Sequence, residues 1–129
     1  MIQRFIELGN GMGDLYELIE LGERMPSRVD RMMALHTVTN DRTITSLVLV
    51  MKPAGQDKFQ ALYICREGIP NPNDQQTKRY DLFKQLAVTI EKEITELVVK
   101  PSTEFHEKDL YYQYLVGILR MNKYIPPLQ

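Results

Sequence analysis

The sequence holds a single cysteine, Cys65, so no disulfide can form within the chain. That suits a reducing compartment, and a cytosolic protein is the expectation. Long apolar runs are also missing. The longest is Leu47-Val48-Leu49-Val50-Met51, far short of the ~20 residues that a membrane span requires. Near the N-terminus, Glu7 interrupts the apolar stretch that a secretory signal needs. Neither sign of charge is in excess, with 16 Lys+Arg against 17 Asp+Glu and a formal net charge of -1. This balance removes the usual electrostatic case for nucleic-acid binding. No repeat, low-complexity tract or flexible linker divides the chain, so one domain over residues 1–129 is expected.

What remains has the composition of an ordinary folded domain, 43% hydrophobic and 26% charged. Ile2 to Leu8 reads as a first strand, and the glycines Gly9, Gly11 and Gly13 then break the chain. Asp14 is placed to cap a helix whose Leu15, Leu18 and Ile19 recur at helical spacing, and Pro26 ends it. Three strands follow at Val29–Thr39, Thr43–Met51 and Phe59–Arg66, the first two joined at Asn40-Asp41, a hairpin turn signal. The middle strand is apolar on both faces and belongs at the centre of its sheet. Gly68 to Asn73 reads as a rigid irregular connection, with Asn73 or Asp74 capping a second helix. Tyr80, Phe83, Leu86, Ala87, Ile90 and Ile94 form the apolar stripe of that helix. Leu97-Val98-Val99 is a short strand, expected parallel to the strand before the helix. Ser102 or Thr103 would cap a last helix running to about Lys123. The order β-α-β-β-β-α-β-α predicts a mixed α/β domain: an antiparallel meander within a sheet of about five strands, with helices packed on it.

Candidate chemistry is sparse. The Gly9–Gly13 segment precedes a helix but lacks the G-x-G-x-x-G spacing, and Asp14 stands where a phosphate would meet a negative charge. It reads as a turn. The β-β-β-α-β order resembles, in topology alone, the restriction-endonuclease-like core. The strands that would carry its acidic Mg²⁺ ligands read Ser46-Leu47-Val48-Leu49-Val50-Met51 and Ala61-Leu62-Tyr63-Ile64-Cys65-Arg66, and hold none. A degenerate nucleic-acid-binding domain of that kind would need a basic face built from Lys58, Arg66, Lys78, Arg79 and Lys84. His36 and His106 with one cysteine give no zinc spacing, so neither a metal nor a cofactor is expected. Cys65, Arg66, Glu67 and Asn71 lie at a strand end, where α/β ligand sites gather. With the Gly9–Gly13 turn they form the candidate site for a small-molecule ligand or a weak enzyme.

The last helix is the most unusual segment. Between Leu110 and Met121 almost no polar face remains, and an all-apolar helix needs cover on every side. The sheet covers one side, and the other falls to the Ile125-Pro126-Pro127-Leu128 tail or to a second copy. Tyr111, Tyr114, Leu115, Ile118 and Met121 are therefore the candidate interface of a homodimer, and Gly117 marks a point of close backbone approach. A non-enzymatic protein-interaction module is the leading expectation.

The segments Tyr63-Ile64-Cys65-Arg66-Glu67-Gly68-Ile69-Pro70-Asn71-Pro72 and Gly117-Ile118-Leu119-Arg120-Met121-Asn122, with Ile125-Pro126-Pro127, resemble a small uncharacterised family of Bacillus-type Gram-positive bacteria. The resemblance covers most of the chain and implies no activity and no site residue. Some members carry a methylthioribose kinase label. A sugar kinase needs a phosphate-cradling loop and acidic Mg²⁺ ligands, and this sequence offers neither.

Overall fold

A computed structural model describes residues 1–8, 14–39, 42–55 and 59–127, apart from the side chains of residues 39, 66 and 67. The elements run β1 (Ile2–Glu7), α1 (Asp14–Arg24), β2 (Val29–Thr39), β3 (Arg42–Met51), β4 (Phe59–Pro70), α2 (Lys78–Thr89), β5 (Ile94–Val98) and α3 (Lys108–Met121). This is the mixed α/β order expected from the sequence. The strands form one five-stranded sheet in the order β1-β4-β3-β2-β5. β2–β3 and β3–β4 are antiparallel, while β1 pairs with β4 and β5 with β2 in parallel.

The two-sided apolar pattern of β3 places it at the centre. Leu47, Leu49 and Met51 point to one face, where Leu15 and Leu18 of α1 and Phe83 and Leu86 of α2 complete a core. Val48 and Val50 point to the other, against Tyr111, Leu115, Val116 and Leu119 of α3. Each fully buried leucine contributes about 2 kcal/mol by removal from water, so both faces are strongly anchored. A Cβ on Gly22 would lie 2.7 Å from Cδ2 of Leu86, so α1 and α2 approach closely at a glycine.

Four features differ from the sequence expectation. β4 continues past Arg66 to Pro70: its pairing with β3 shifts register between Thr45 and Leu47, and Gly68 takes a left-handed φ of 67°. This irregularity lets a segment rich in breakers rejoin the ladder. α2 is capped by Thr77, whose hydroxyl accepts from the Tyr80 amide at 3.2 Å, and not by Asn73 or Asp74. Those two belong to the preceding turn, where Asn71 Oδ1 accepts from the Asn73 amide at 2.9 Å. Ile94 leaves the helical stripe for β5, which is parallel to β2 because the outer edge of β4 is already taken by β1. Finally, Ser102–Glu104 forms only a 3₁₀ turn, and α3 begins at Lys108. The break at Phe105 turns its ring onto Tyr111 and Tyr114, with centroids 5.4 and 5.2 Å away. The Gly9–Gly13 turn and the Asn40-Asp41 hairpin connection lie outside the described residues.

Candidate functional site

The sequence reads α3 as apolar all round, and the fold divides that surface into three. Tyr111, Leu115, Val116 and Leu119 face the sheet and are buried. Leu110, Tyr114, Ile118 and Met121, spaced i, i+4, i+8 and i+11, form a stripe along one flank. Leu110 is 45% exposed and Met121 80%, while Tyr114 and Ile118 are half-buried. Asp109, Tyr112, Gln113 and Arg120 line the opposite flank, beside β1. Of the candidate interface residues, Tyr111 and Leu115 thus serve the chain's own core, and Tyr114, Ile118 and Met121 share the outer stripe. Gly117 sits between the flanks, and among the described residues nothing lies within 4 Å of a Cβ placed on it.

The β1 flank is a groove of about 820 Å³. β1 is an edge strand, and Phe5 stacks on Tyr112 at 5.3 Å between centroids. Tyr112 donates its hydroxyl hydrogen to Glu7, which also pairs with Lys108 at 3.1 Å. Further along, Arg120 Nε donates to Gln3 Oε1 at 2.6 Å, and Gln3 Nε2 donates to Gln60 Oε1 and to the Pro126 carbonyl, each at 2.9 Å. The buried Gln60 then donates to the Met51 carbonyl at 2.9 Å. These bonds fasten α3 and the tail to the sheet edge. They bring together no nucleophile and base.

A second polar cluster lies on the opposite face, at the N-terminal end of α2. His36 is buried, with Nδ1 2.7 Å from Thr45 Oγ1 and Nε2 2.9 Å from Glu96 Oε1. A carboxylate only accepts, so Nε2–H donates to Glu96, and in the neutral imidazole Nδ1 then accepts from the Thr45 hydroxyl. Glu96 also lines a 270 Å³ cavity with Tyr80, Lys84, Asn73 and Pro72. Burial and then the charge of Glu96 push the Tyr80 phenol up, which keeps it a donor. Thr45 is fully buried, so the three groups resemble a catalytic triad in connectivity without an accessible hydroxyl. Sequence reasoning put His36 on the Val29–Thr39 strand and left it structural or solvent-exposed. It missed the pairing with Glu96, which is 60 residues away.

The residues proposed around the Cys65–Asn73 loop are only partly gathered. Cys65 is buried in the core on the α1 face. Asn71 holds the turn before α2 through its side chain and through its carbonyl, which accepts from the amides of Asp74 and Gln75. The side chains of Arg66 and Glu67 lie outside the described residues. His106 is exposed. Among the described residues no three His, Cys, Asp or Glu side chains converge as a metal site, and no helix is long and apolar enough to cross a membrane.

The fold therefore defines a mixed α/β domain with helices on both faces of an open sheet and polar clusters at the β1 edge and beside α2. The chain belongs to the family described as Domain of unknown function (DUF7147), which matches residues 1–125. No curated protein and no solved structure matches it.

Proposed function

We propose that the protein is a cytosolic protein-interaction module that works as a homodimer, two copies meeting through the outer flank of α3. The observation that carries this reading is the stripe Leu110, Tyr114, Ile118 and Met121, which the chain's own sheet leaves partly or largely uncovered. Gly117 supports it. A glycine inside a helix costs about 1 kcal/mol relative to alanine, and no neighbour among the described residues requires it. A second helix crossing at Gly117 supplies the reason, because the absent side chain lets two backbones approach.

Magnitudes set the expected strength. Each newly buried leucine or methionine contributes about 1.5–3 kcal/mol when fully covered, against an association cost of about 4–15 kcal/mol. A micromolar dimer, near -8 kcal/mol, lies within these ranges and is the strength proposed. Sedimentation equilibrium at tens of micromolar tests it. Wild type should show dimer mass, and Leu110→Asp with Met121→Asp should be monomeric, with the wild-type urea midpoint at dilutions where wild type does not pair, since both side chains are exposed within one chain. Wild type sedimenting only as a monomer at these concentrations would overturn the reading.

A further inference from the structure

Where α3 ends, Arg120 and Lys123 of that end and Arg31 of β2 line one cavity of about 520 Å³. We propose that this cavity binds an organic phosphate, a phosphate group carried on a flat or apolar body. Met121 of the outer stripe lines one wall of it, but none of its cations belongs to that stripe.

Arg31 is the first support. Its Nη1 donates to Thr95 Oγ1 at 3.0 Å, and its guanidinium carbon lies 4.9 Å from the centroid of the Tyr124 ring. The guanidinium is thus held in one plane by a bond and a stack. Its Nε is buried and, among the described residues, has no acceptor. A buried donor without a partner carries a penalty of about 1–3 kcal/mol, which an anion oxygen reaching it would relieve.

Arg120 is the second. Gln3 takes its Nε at 2.6 Å, and no described residue accepts from its terminal amines. A guanidinium positioned in this way can turn its remaining donors to phosphate oxygens. Lys123 is the third, and it takes the left-handed conformation, φ 62°, just after the helix. Glycine is the easier residue there. One carboxylate, Asp30, lines the same cavity, so a net charge of about +2 meets a phosphate of about -1.5 to -2 at pH 7.

The negative end of the α3 dipole opposes an anion by only about 0.3–1 kcal/mol. Its last carbonyls are also occupied: Ile118 accepts from Asn122, Leu119 from Tyr124 and Arg120 from Lys123. The remaining walls include Tyr124, Pro126 and Pro127, which give an aromatic or apolar body a surface to lie on. Bare phosphate would leave that surface unused.

Titration calorimetry with phenyl phosphate, inorganic phosphate and phenol tests the assignment. Phenyl phosphate should bind at least tenfold more tightly than either of the other two, and more weakly as salt rises. Lys123→Gly and Arg120→Gln should each weaken it about tenfold. Lys123→Gly is the deciding variant, because it relieves the left-handed lysine and should leave the thermal midpoint equal or higher. No heat with phenyl phosphate at millimolar concentration, or equal affinity in wild type and both variants, would overturn the site. Phenol binding as tightly as phenyl phosphate would overturn the phosphate assignment, and inorganic phosphate doing so would overturn the apolar body.

Discussion

Arg120 and Gln3 are 117 positions apart, and the 2.6 Å bond from Arg120 Nε to Gln3 Oε1 ties the last turn of α3 to the first strand. Gln3 stands beside Gln60 in the parallel register of β1 and β4, and Gln60 carries the chain of bonds inward to the Met51 carbonyl. Edge strand, central strand and C-terminal helix are therefore joined by side-chain amides as well as by packing. Gln60 is fully buried at the middle of this chain. Replacing it by leucine keeps the volume and leaves Gln3 and the Met51 carbonyl each short of a partner. Gln60→Leu should lower stability by about 1–3 kcal/mol, read as a lower urea midpoint.

The His36 cluster makes a paired prediction. Thr45→Val leaves His36 Nδ1 buried without its 2.7 Å partner and should cost about 1–3 kcal/mol. Glu96→Gln keeps an oxygen that can accept from Nε2, on a side chain that is half exposed, and should cost under about 1 kcal/mol. Equal losses in the two variants would contradict the bonding described for His36.

Alkaline stability should depend on Tyr111. Burial, then the neighbouring Tyr114, pushes its phenol up from 10.0 to about 12. The folded state holds the proton more tightly than the unfolded chain does, so the contribution is fully present below pH 10 and disappears as pH rises to 12. Two units correspond to about 2–3 kcal/mol. In urea titrations from pH 8 upward, Tyr111→Phe should lose less stability than wild type through that window.

The two helical glycines should respond in opposite directions. Gly22→Ala drives a methyl against Leu86, with a Cβ 2.7 Å from Cδ2 in a packed core. Overpacking of about 1–3 kcal/mol then meets or exceeds the gain of about 1 kcal/mol in helix propensity. Gly117→Ala meets no described residue and should stabilise the single chain by about 1 kcal/mol. Thermal melts of both variants at low protein concentration, where pairing is negligible, give the comparison.

Much of the fold was legible because its signals are local. The two apolar faces of β3 required cover on both sides, and α1, α2 and α3 provide it. What escaped the sequence depends on competition between distant segments. The parallel pairing of β5 with β2 follows from the prior claim of β1 on β4, which no local pattern records. The same holds for Thr77, which takes the α2 cap because Asn71, Asn73 and Asp74 are spent on the turn before it. In the last helix the composition showed an excess of apolar surface. It could not show which flank the sheet would take, nor that Tyr111 and Leu115 would be consumed there. Among the cavity cations, Arg31 reaches Arg120 and Lys123 only through folding.

Oxidative cross-linking of Gly117→Cys tests most directly whether two α3 helices cross at that position. The natural cysteine, Cys65, is 1% exposed and gives little background. Val88→Cys on α2, where the native side chain is 79% exposed, serves as the control for random collision. With the two Cα atoms brought within about 7 Å, Gly117→Cys should form a disulfide-linked dimer under diamide far faster than Val88→Cys. It should do so at the low micromolar concentrations where wild type begins to pair. Cross-linking of Gly117→Cys no faster than the Val88→Cys control would contradict the crossing, and with it the proposed dimer.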